Sequence, residues 1–409
     1  MFYRKKKYIA AASLSSIAWK RFIKNKLSFA SLIIISLFTL IAILGYLVTP
    51  DQTPFSNEQY LELSTKKPGF SIQMLKIKKN EKEESSNIFY KMLFGEKASY
   101  LSIPVYSYQF NKEFIEVEVY TGTKPNDGEI KKLNLANVVF PLDNSIAVKN
   151  NGNILQFKDI YGNTYHESIT LLRNRIINEN FYTKHFWLGS DRFGRDMLSQ
   201  LIIGTRVSLS VGFISVIISL IIGILLGALA GFFKGWIDNL IVWFINVIWS
   251  IPTLLLVIAI TFALGKGFWQ VFIAVGLTMW VEVARVVRGQ ILSIREKEFV
   301  EAGRALGFKN GRLIFRHILP NVMGAVIVIS AANFASAILM EAGLSFLGIG
   351  VQPPMPSWGS MIKENYGYII LDAAYLAILP GIAIMIVVLA FMIAGNGLRD
   401  ALDVKLTEK

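Results

Sequence analysis

The sequence predicts an all-α integral membrane protein of six transmembrane helices, interrupted by one inserted water-facing domain that is α+β or mainly β. Three observations lead there. Six stretches are apolar over the roughly 20 residues a helix needs to cross a bilayer core of about 30 Å. The positive charge is concentrated beside those stretches rather than spread over the chain. One polar block, residues 50–185, separates the first apolar stretch from the other five.

The elements follow in order. Residues 1–26 carry eight Lys/Arg and no acid. Within them Trp19, Phe22 and Ile23 alternate with basic residues, which fits either an interfacial helix on the inner leaflet or a plain basic flank. Residues 27–49 form the first span. It is too long for a signal peptide, and "VTPDQTPF" after it lacks a small-x-small cleavage site, so it reads as a retained anchor. The remaining spans fall at 207–233, 240–264, 268–289, 321–347 and 376–395, with a tail at 396–409. Pro252 predicts a kink in the third span. Gly223, Gly227 and Gly231 repeat the GxxxG spacing that lets two helices approach closely in lipid, with the partner helix unidentified.

Charge sets the orientation. Residues 282–320 carry eight Lys/Arg against four acids, whereas residues 51–206 are nearly balanced at twenty against eighteen. By the positive-inside rule the basic N-terminus, the 290–320 loop and the C-terminus are cytoplasmic, and 50–185 is outside. The net charge of +13 is thereby explained without nucleic acid. The chain has no cysteine and only three scattered histidines, so neither disulfides nor a familiar metal spacing is available. With no Walker loop, ATP hydrolysis by this chain is not expected, and neither a catalytic motif nor a cofactor or metal site is read.

The insert has enough residues for a modest core of its own. "EFIEVEVYTG" (Glu113–Gly122) alternates as a half-buried strand does. Asn151-Gly152 between two apolar runs signals a hairpin. The charged stretch Lys76–Asn87 reads as a mobile loop.

The most informative segment is "EFVEAGRALGFKNGRLIFRHILPN", Glu298–Asn321. Phe299, Gly303 and Leu306 share one helical face. Gly307 supplies the stop, since glycine adopts the left-handed C′ conformation. A second amphipathic helix, Arg312–Leu319, with Leu313, Ile314 and Ile318 as its stripe, ends at Pro320. About thirty residues is more than a connection needs, which points to a docking surface.

Here the sequence resembles a known family. "EAGRALG" followed by "RHILPN" is similar to the EAA loop of bacterial ABC importer permeases. Glu301, Ala302, Gly307, Leu319 and Pro320 fall on its spacing, and Gly303 replaces the second alanine. "LGSDRFGRDMLSQLIIGTRVSL" (Leu188–Leu209) and "ILMEAGLSFLGIGVQPPMPSWGSMI" (Ile338–Ile362) resemble signatures of the C-type permease of the dipeptide/oligopeptide/nickel branch. Gln200 stands where that family commonly has Arg, and the insert is far longer than usual. The resemblance implies a type I importer permease fold in the bacterial cytoplasmic (inner) membrane. Its implied partners are a second homologous permease, two ABC ATPases that hold ATP and Mg, and an extracytoplasmic substrate-binding protein that delivers a peptide. It also implies that the 290–320 loop, through Glu301, Ala302, Gly303, Gly307, Leu319 and Pro320, couples to the ATPases.

Four further residues are candidates for the pathway or its gate. Glu341, an acid inside an apolar span, reads equally as hydrogen-bonded structure or as pathway lining. Asp191, Arg195 and Asp196, ahead of the second span, either gate and dock the binding protein or pair with one another. Glu282 and Arg285, at i and i+3, are read as a pair. Two other readings stand beside a peptide permease. Nickel or another small solute is one, weakly disfavoured by spans without His or Cys. A membrane sensor or enzyme with an external ligand-binding domain is the other.

Overall fold

A computed structural model describes residues 14–402 except 83–85, 123, 125, 126 and 266. Residues 1–13, the last part of the tail and Lys266 therefore lie outside it. In chain order the helices are α1 (Leu14–Lys24), α2 (Lys26–Leu44), α3 (Ile88–Phe94), α4 (Leu135–Val139), α5 (Ile169–Arg175), α6 (Met197–Phe233), α7 (Gly235–Trp249) and α8 (Thr253–Leu264). Then come α9 (Phe268–Ile294), α10 (Glu298–Ala305), α11 (Asn310–Phe346), α12 (Trp358–Asn365) and α13 (Tyr375–Leu402). The strands are β1 (Phe70–Lys78), β2 (Tyr100–Asn111), β3 (Phe114–Val119), β4 (Ile130–Asn134), β5 (Lys149–Asn151), β6 (Ile154–Lys158), β7 (Thr164–Ser168) and β8 (Phe181–Phe186). The chain divides into two compact units. One comprises residues up to Ala42 with Gly204–Glu364 and Ala377 onward; the other comprises Ile43–Ile203 with Asn365–Leu376.

In the helical unit, five helices are long and apolar enough to cross a membrane: Lys26–Leu47, Met197–Phe233, Phe268–Ile294, Asn310–Phe346 and Tyr375–Leu402. The expected third span is instead two helices, α7 and α8, bent by 91° at the break. Pro252 does more than kink the helix: it stands as N-cap to α8, because its ring and missing N–H cannot continue α7. The second span begins ten residues before its expected start, because its polar residues find partners. Arg206 Nε, for example, donates to the Ala42 carbonyl at 2.8 Å. The last helix runs on to Leu402, so the tail does not begin at 396.

The glycine ladder on α6 meets α9. A Cβ built on Gly223 would lie 2.5 Å from Val283 Cβ, and one on Gly227 only 2.6 Å from the Ala284 carbonyl oxygen. Gly276 of α9 answers, with Ile218 at 2.7 Å from its own would-be Cβ. Lipid tails are as apolar as leucine, so close backbone approach and dispersion carry such contacts. The N-terminal helix α1 packs too: Ala18 and Phe22 are buried against the end of α13, in a cluster with Leu398, Ala401 and Leu402. Trp19 is left exposed.

The second unit holds a five-stranded antiparallel sheet in the order β4-β3-β2-β1-β8 and a three-stranded sheet in the order β5-β6-β7. The alternation in Glu113–Gly122 becomes β3, with Ile115 and Val117 fully buried. The Asn-Gly signal becomes the β5–β6 hairpin, in which Asn151 faces Ile154 and Gly152 has φ +79°. Sixteen buried residues, among them Leu75, Ile115, Val117, Leu155 and Leu172, form one core.

Two expectations for the insert are corrected. Lys76–Lys78 belong to β1 rather than to a loop: Ile77 is buried, and Lys76 and Lys78 lie over the Tyr182 and Tyr100 rings at 4.5 and 4.4 Å. Residue 185 is not its boundary either. Phe186 is fully buried, and Tyr375 Oη, from far along the chain, donates to the Lys66 carbonyl at 2.6 Å. Lys67 Nζ meets Asp372 Oδ2 at 2.6 Å nearby, an exposed pair worth little on its own.

Candidate functional site

The Glu298–Asn321 segment forms the expected helix–turn–helix hairpin, though its second helix is continuous with the next span rather than short. α10 closes in a Schellman motif: Gly307 N–H donates to Arg304 O at 2.9 Å and Phe308 N–H to Gly303 O at 3.0 Å. Gly307 has φ +77°, with open space around a would-be Cβ, so the backbone conformation itself demands glycine there. The chain then turns into α11, which continues through Pro320 as far as Phe346. Pro320 does not end a helix, because Leu313–Ile318 is a π-helical turn in which Leu319 N–H reaches back to Ile314 O. The widened turn relaxes the ring clash that an α-helix would impose. Asn321 Nδ2 also satisfies the His317 carbonyl at 2.7 Å.

The expected apolar face is also corrected. Val300 and Gly303 are the buried positions of α10, whereas Phe299 and Leu306 are 44% and 73% exposed. An alanine at Gly303 would require the Leu313 side chain to shift, since a Cβ there would lie 2.8 Å from Leu313 Cδ2. The second stripe is as expected, with Leu313, Ile314 and Ile318 all buried. These residues and Val300 belong to the same core as Ala228 of α6, Val287 and Ile291 of α9, and Val322 of α11. The hairpin is thus seated on two membrane helices, α6 and α9, and runs directly into a third, α11. Its free side presents Phe299, Glu301, Ala302, Leu306 and Phe315, all exposed. Among the described residues, no ion-pair partner reaches Glu301. Leu319 is half-buried and Pro320 is exposed.

Glu341 is fully buried in α11, where its Oε1 accepts from Ser345 Oγ at 2.6 Å. Its Oε2, like both amide atoms of buried Asn333, has no hydrogen-bond partner among the described residues. The surrounding motif is tightly folded: Gly359 has its would-be Cβ 2.6 Å from Ala342 Cα, and Trp358 is fully buried beside Gly204.

Asp191, Arg195 and Asp196 are likewise buried. Asp191 Oδ2 meets Arg195 Nε at 2.6 Å, while its Oδ1 accepts from the Phe193 and Arg195 amides at 2.9 Å each. Asp196 Oδ2 caps the start of α6 through the Ser199 amide at 2.8 Å, and burial pushes its carboxyl above the usual range. These contacts pair Asp191 with Arg195 and give Asp196 to the start of α6. Gln200 Nε2 donates to the Phe55 and Ser56 carbonyls, which accounts for an amide at that position.

Glu282 and Arg285 do not pair. The Arg285 guanidinium lies over the Trp249 ring at 3.6 Å. Glu282 has no ion-pair partner among the described residues and borders a cavity of about 130 Å³ at the α7–α8 break, with Thr253, Thr278, Ser336 and Met340. The i, i+3 spacing is equally consistent with pairing and with this arrangement. The intramembrane aromatic Trp249 was the signal that the sequence reading did not weigh.

Comparison with known proteins follows this geometry. Residues 223–408 match the family described as binding-protein-dependent transport system inner membrane component. Residues 13–68 match the N-terminal TM domain of oligopeptide transport permease C. The dipeptide transport system permease protein DppC of Alkalihalophilus pseudofirmus is 44% identical over 220 residues, which is 54% of this chain and 72% of that protein. The glutathione transport system permease protein GsiD of Pectobacterium atrosepticum is 41% identical over 230 residues, covering 56% and 76% respectively. A solved chain of the inward-facing methionine ABC transporter MetNI overlays 51% of this chain and 98% of its own at 20% identity and a TM-score of 0.43, too distant to carry an inference. Residues 69–222 lie between the two matched family ranges.

Proposed function

The chain belongs to the binding-protein-dependent transport system inner membrane components, as a permease of the dipeptide/oligopeptide branch of ABC importers, and on that premise we propose that it carries short peptides inward by coupling its spans to cytoplasmic ATPases through the α10–α11 hairpin. The observation that carries the coupling is the hairpin's two-sidedness. Its inner side is in one core with α6 and α9, and its outer side exposes Phe299, Glu301, Leu306 and Phe315. A body packed on two helices and continuous with a third transmits a push as a rigid shift, where a loop would absorb it. The partners are a second permease, two ATPases that bind ATP and Mg, and an external binding protein. The peptide cargo is supported by the relatives, whose names assign them dipeptide and glutathione.

Packing and charge together support the orientation. The starts of α1 and α2 adjoin the end of α13: Ala18 and Phe22 pack on Leu398 and Ala401, and a Cβ on Gly397 would strike Ser28. Helix ends gathered in this way favour one membrane face for α1 and the end of α13, and hence an even number of crossings. Five long helices are odd, and the bent α7–α8 pair supplies the sixth. The basic N-terminus and hairpin make that face the cytoplasm, which leaves the strand-bearing insert outside.

The test is Glu301→Lys and Gly307→Val in the reconstituted complex, read as peptide uptake and binding-protein-stimulated ATP hydrolysis, with co-purification checking assembly. Reversing the charge on a docking face costs several kcal/mol, and a β-branched residue at Gly307 costs about 1–3 kcal/mol of backbone strain. Uptake in Glu301→Lys falls at least about tenfold, since 1.4 kcal/mol is already a factor of ten. Wild-type uptake in both variants would reduce the hairpin to a connection.

A further inference from the structure

In the second unit the segment "IFYKMLF" forms α3, a seven-residue helix without an acid. Its Phe89, Tyr90, Leu93 and Phe94 are 68%, 57%, 51% and 58% exposed. At 3.6 residues per turn these four positions share one side of the helix, where Tyr90 and Phe94 lie 5.0 Å apart between ring centroids. The helix is built to hold this face in place. Asn87 caps its start, Gly95 at φ +77° ends it, and Lys91 pairs with Glu96 at 2.6 Å on the other side. A large contiguous apolar patch in water marks an interaction surface.

Its position identifies the occupant. α3 packs on the turn Gly45–Leu47, the last residues of the first membrane span. Glu96 N–H donates to the Gln52 carbonyl at 2.9 Å, and a Cβ on Gly95 would lie 2.7 Å from the same oxygen. The helix is therefore tied to the first residues past the span. Residues 26–47 have a mean hydropathy of 2.6 over their most apolar window, so the 45–47 turn lies at the edge of the hydrocarbon. A short helix fixed at that depth, with aromatic and aliphatic groups on one side and a lysine on the other, has the chemistry of the bilayer interface. We propose that α3 is a membrane-surface anchor that places Phe89, Tyr90, Leu93 and Phe94 in the phospholipid leaflet where the first span ends, holding the insert down on the bilayer. This goes beyond the transport reading and does not depend on the cargo.

The cysteine-free chain allows a direct test. Phe89→Cys, Phe94→Cys and, on the exposed strand β5, Lys149→Cys are each labelled with an environment-sensitive fluorophore in the full-length protein, reconstituted in phosphatidylcholine–phosphatidylglycerol vesicles. Lipids carrying a shallow nitroxide should quench the labels at 89 and 94 about threefold more strongly than the label at 149, and aqueous iodide should show the reverse order. A further variant, Tyr90→Cys with Phe89→Ser and Phe94→Ser, should lose most of the lipid quenching while the insert still unfolds cooperatively. Iodide quenching at 89 and 94 equal to that at 149 overturns the proposal. So does shielding from both quenchers, which would assign the face to a protein partner.

Discussion

Along α6, three glycines press backbone against α9; in the strand-bearing unit, leucine, isoleucine and valine side chains from strands and from α4 and α5 fill one core. The difference follows from the solvent each region meets. Helices already in lipid gain nothing by hiding apolar surface from their neighbours, so small residues and close contact hold them together. The insert folds against water and is stabilised by removing apolar area from it. One chain therefore contains two stability regimes, and the same substitution has different consequences in each.

The largest expected effect tests the helical regime. Gly227→Ile places a branched side chain where a Cβ alone would lie 2.6 Å from the Ala284 carbonyl oxygen. Overpacking of this kind costs about 1–3 kcal/mol or more, and here it opposes a backbone rather than a pliable side chain. The variant should give no monodisperse peak on detergent size-exclusion chromatography. Gly289→Ala on the facing helix meets nothing within 4 Å and should match or slightly exceed the wild-type melting temperature, since alanine favours helix by about 1 kcal/mol. Equal tolerance of both substitutions would remove the ladder from the account.

A smaller effect tests the other regime. Leu75 is fully buried in the insert's core, so Leu75→Ala should cost about 2–5 kcal/mol. Hydrogen exchange should show β1, β2 and β3 losing protection while α6 and α9 keep theirs. Uniform loss across both units would mean that they do not differ in this way.

The smallest effect is a pH dependence confined to the insert. Burial opposes ionisation of Asp159, but hydrogen bonds from Asn163, Tyr165 and Tyr161 outweigh it and hold the carboxyl below its usual range. A lowered native pKa stabilises the fold fully above the unfolded value of about 3.9, and that contribution disappears as pH falls through the native value. Thermal unfolding of wild type and Asp159→Asn should therefore converge as pH drops from about 5 toward about 2. A constant difference would show that the charge of Asp159 is not what matters.

Much of the hairpin was legible. Gly307 needs only its neighbours to explain it, and the Leu313–Ile318 stripe obeys its period. Other positions misled for stated reasons. Periodicity put Phe299, Gly303 and Leu306 on one face, but it cannot say which part of that face another helix covers. Pro320 looked like a terminator because the π-helical turn ahead of it is invisible in composition. Glu282 and Arg285 had pairing distance along the helix, and Trp249, from a different helix, took the guanidinium instead.

By itself the sequence determined what depends on a few adjacent residues or on transfer from water to lipid: the existence of the apolar spans, the left-handed stop at Gly307 and the Asn-Gly hairpin. Only the tertiary structure decided which helix meets the α6 glycines, that Gly303 packs against the tip of Leu313, that Glu341 is sealed from water, and that Tyr375 and Asp372 complete a domain begun some three hundred residues earlier. Local propensity and hydrophobic pattern act within a turn or two of chain. Contacts between distant residues depend on how whole elements are placed, and that placement is set by shape and packing summed over the fold.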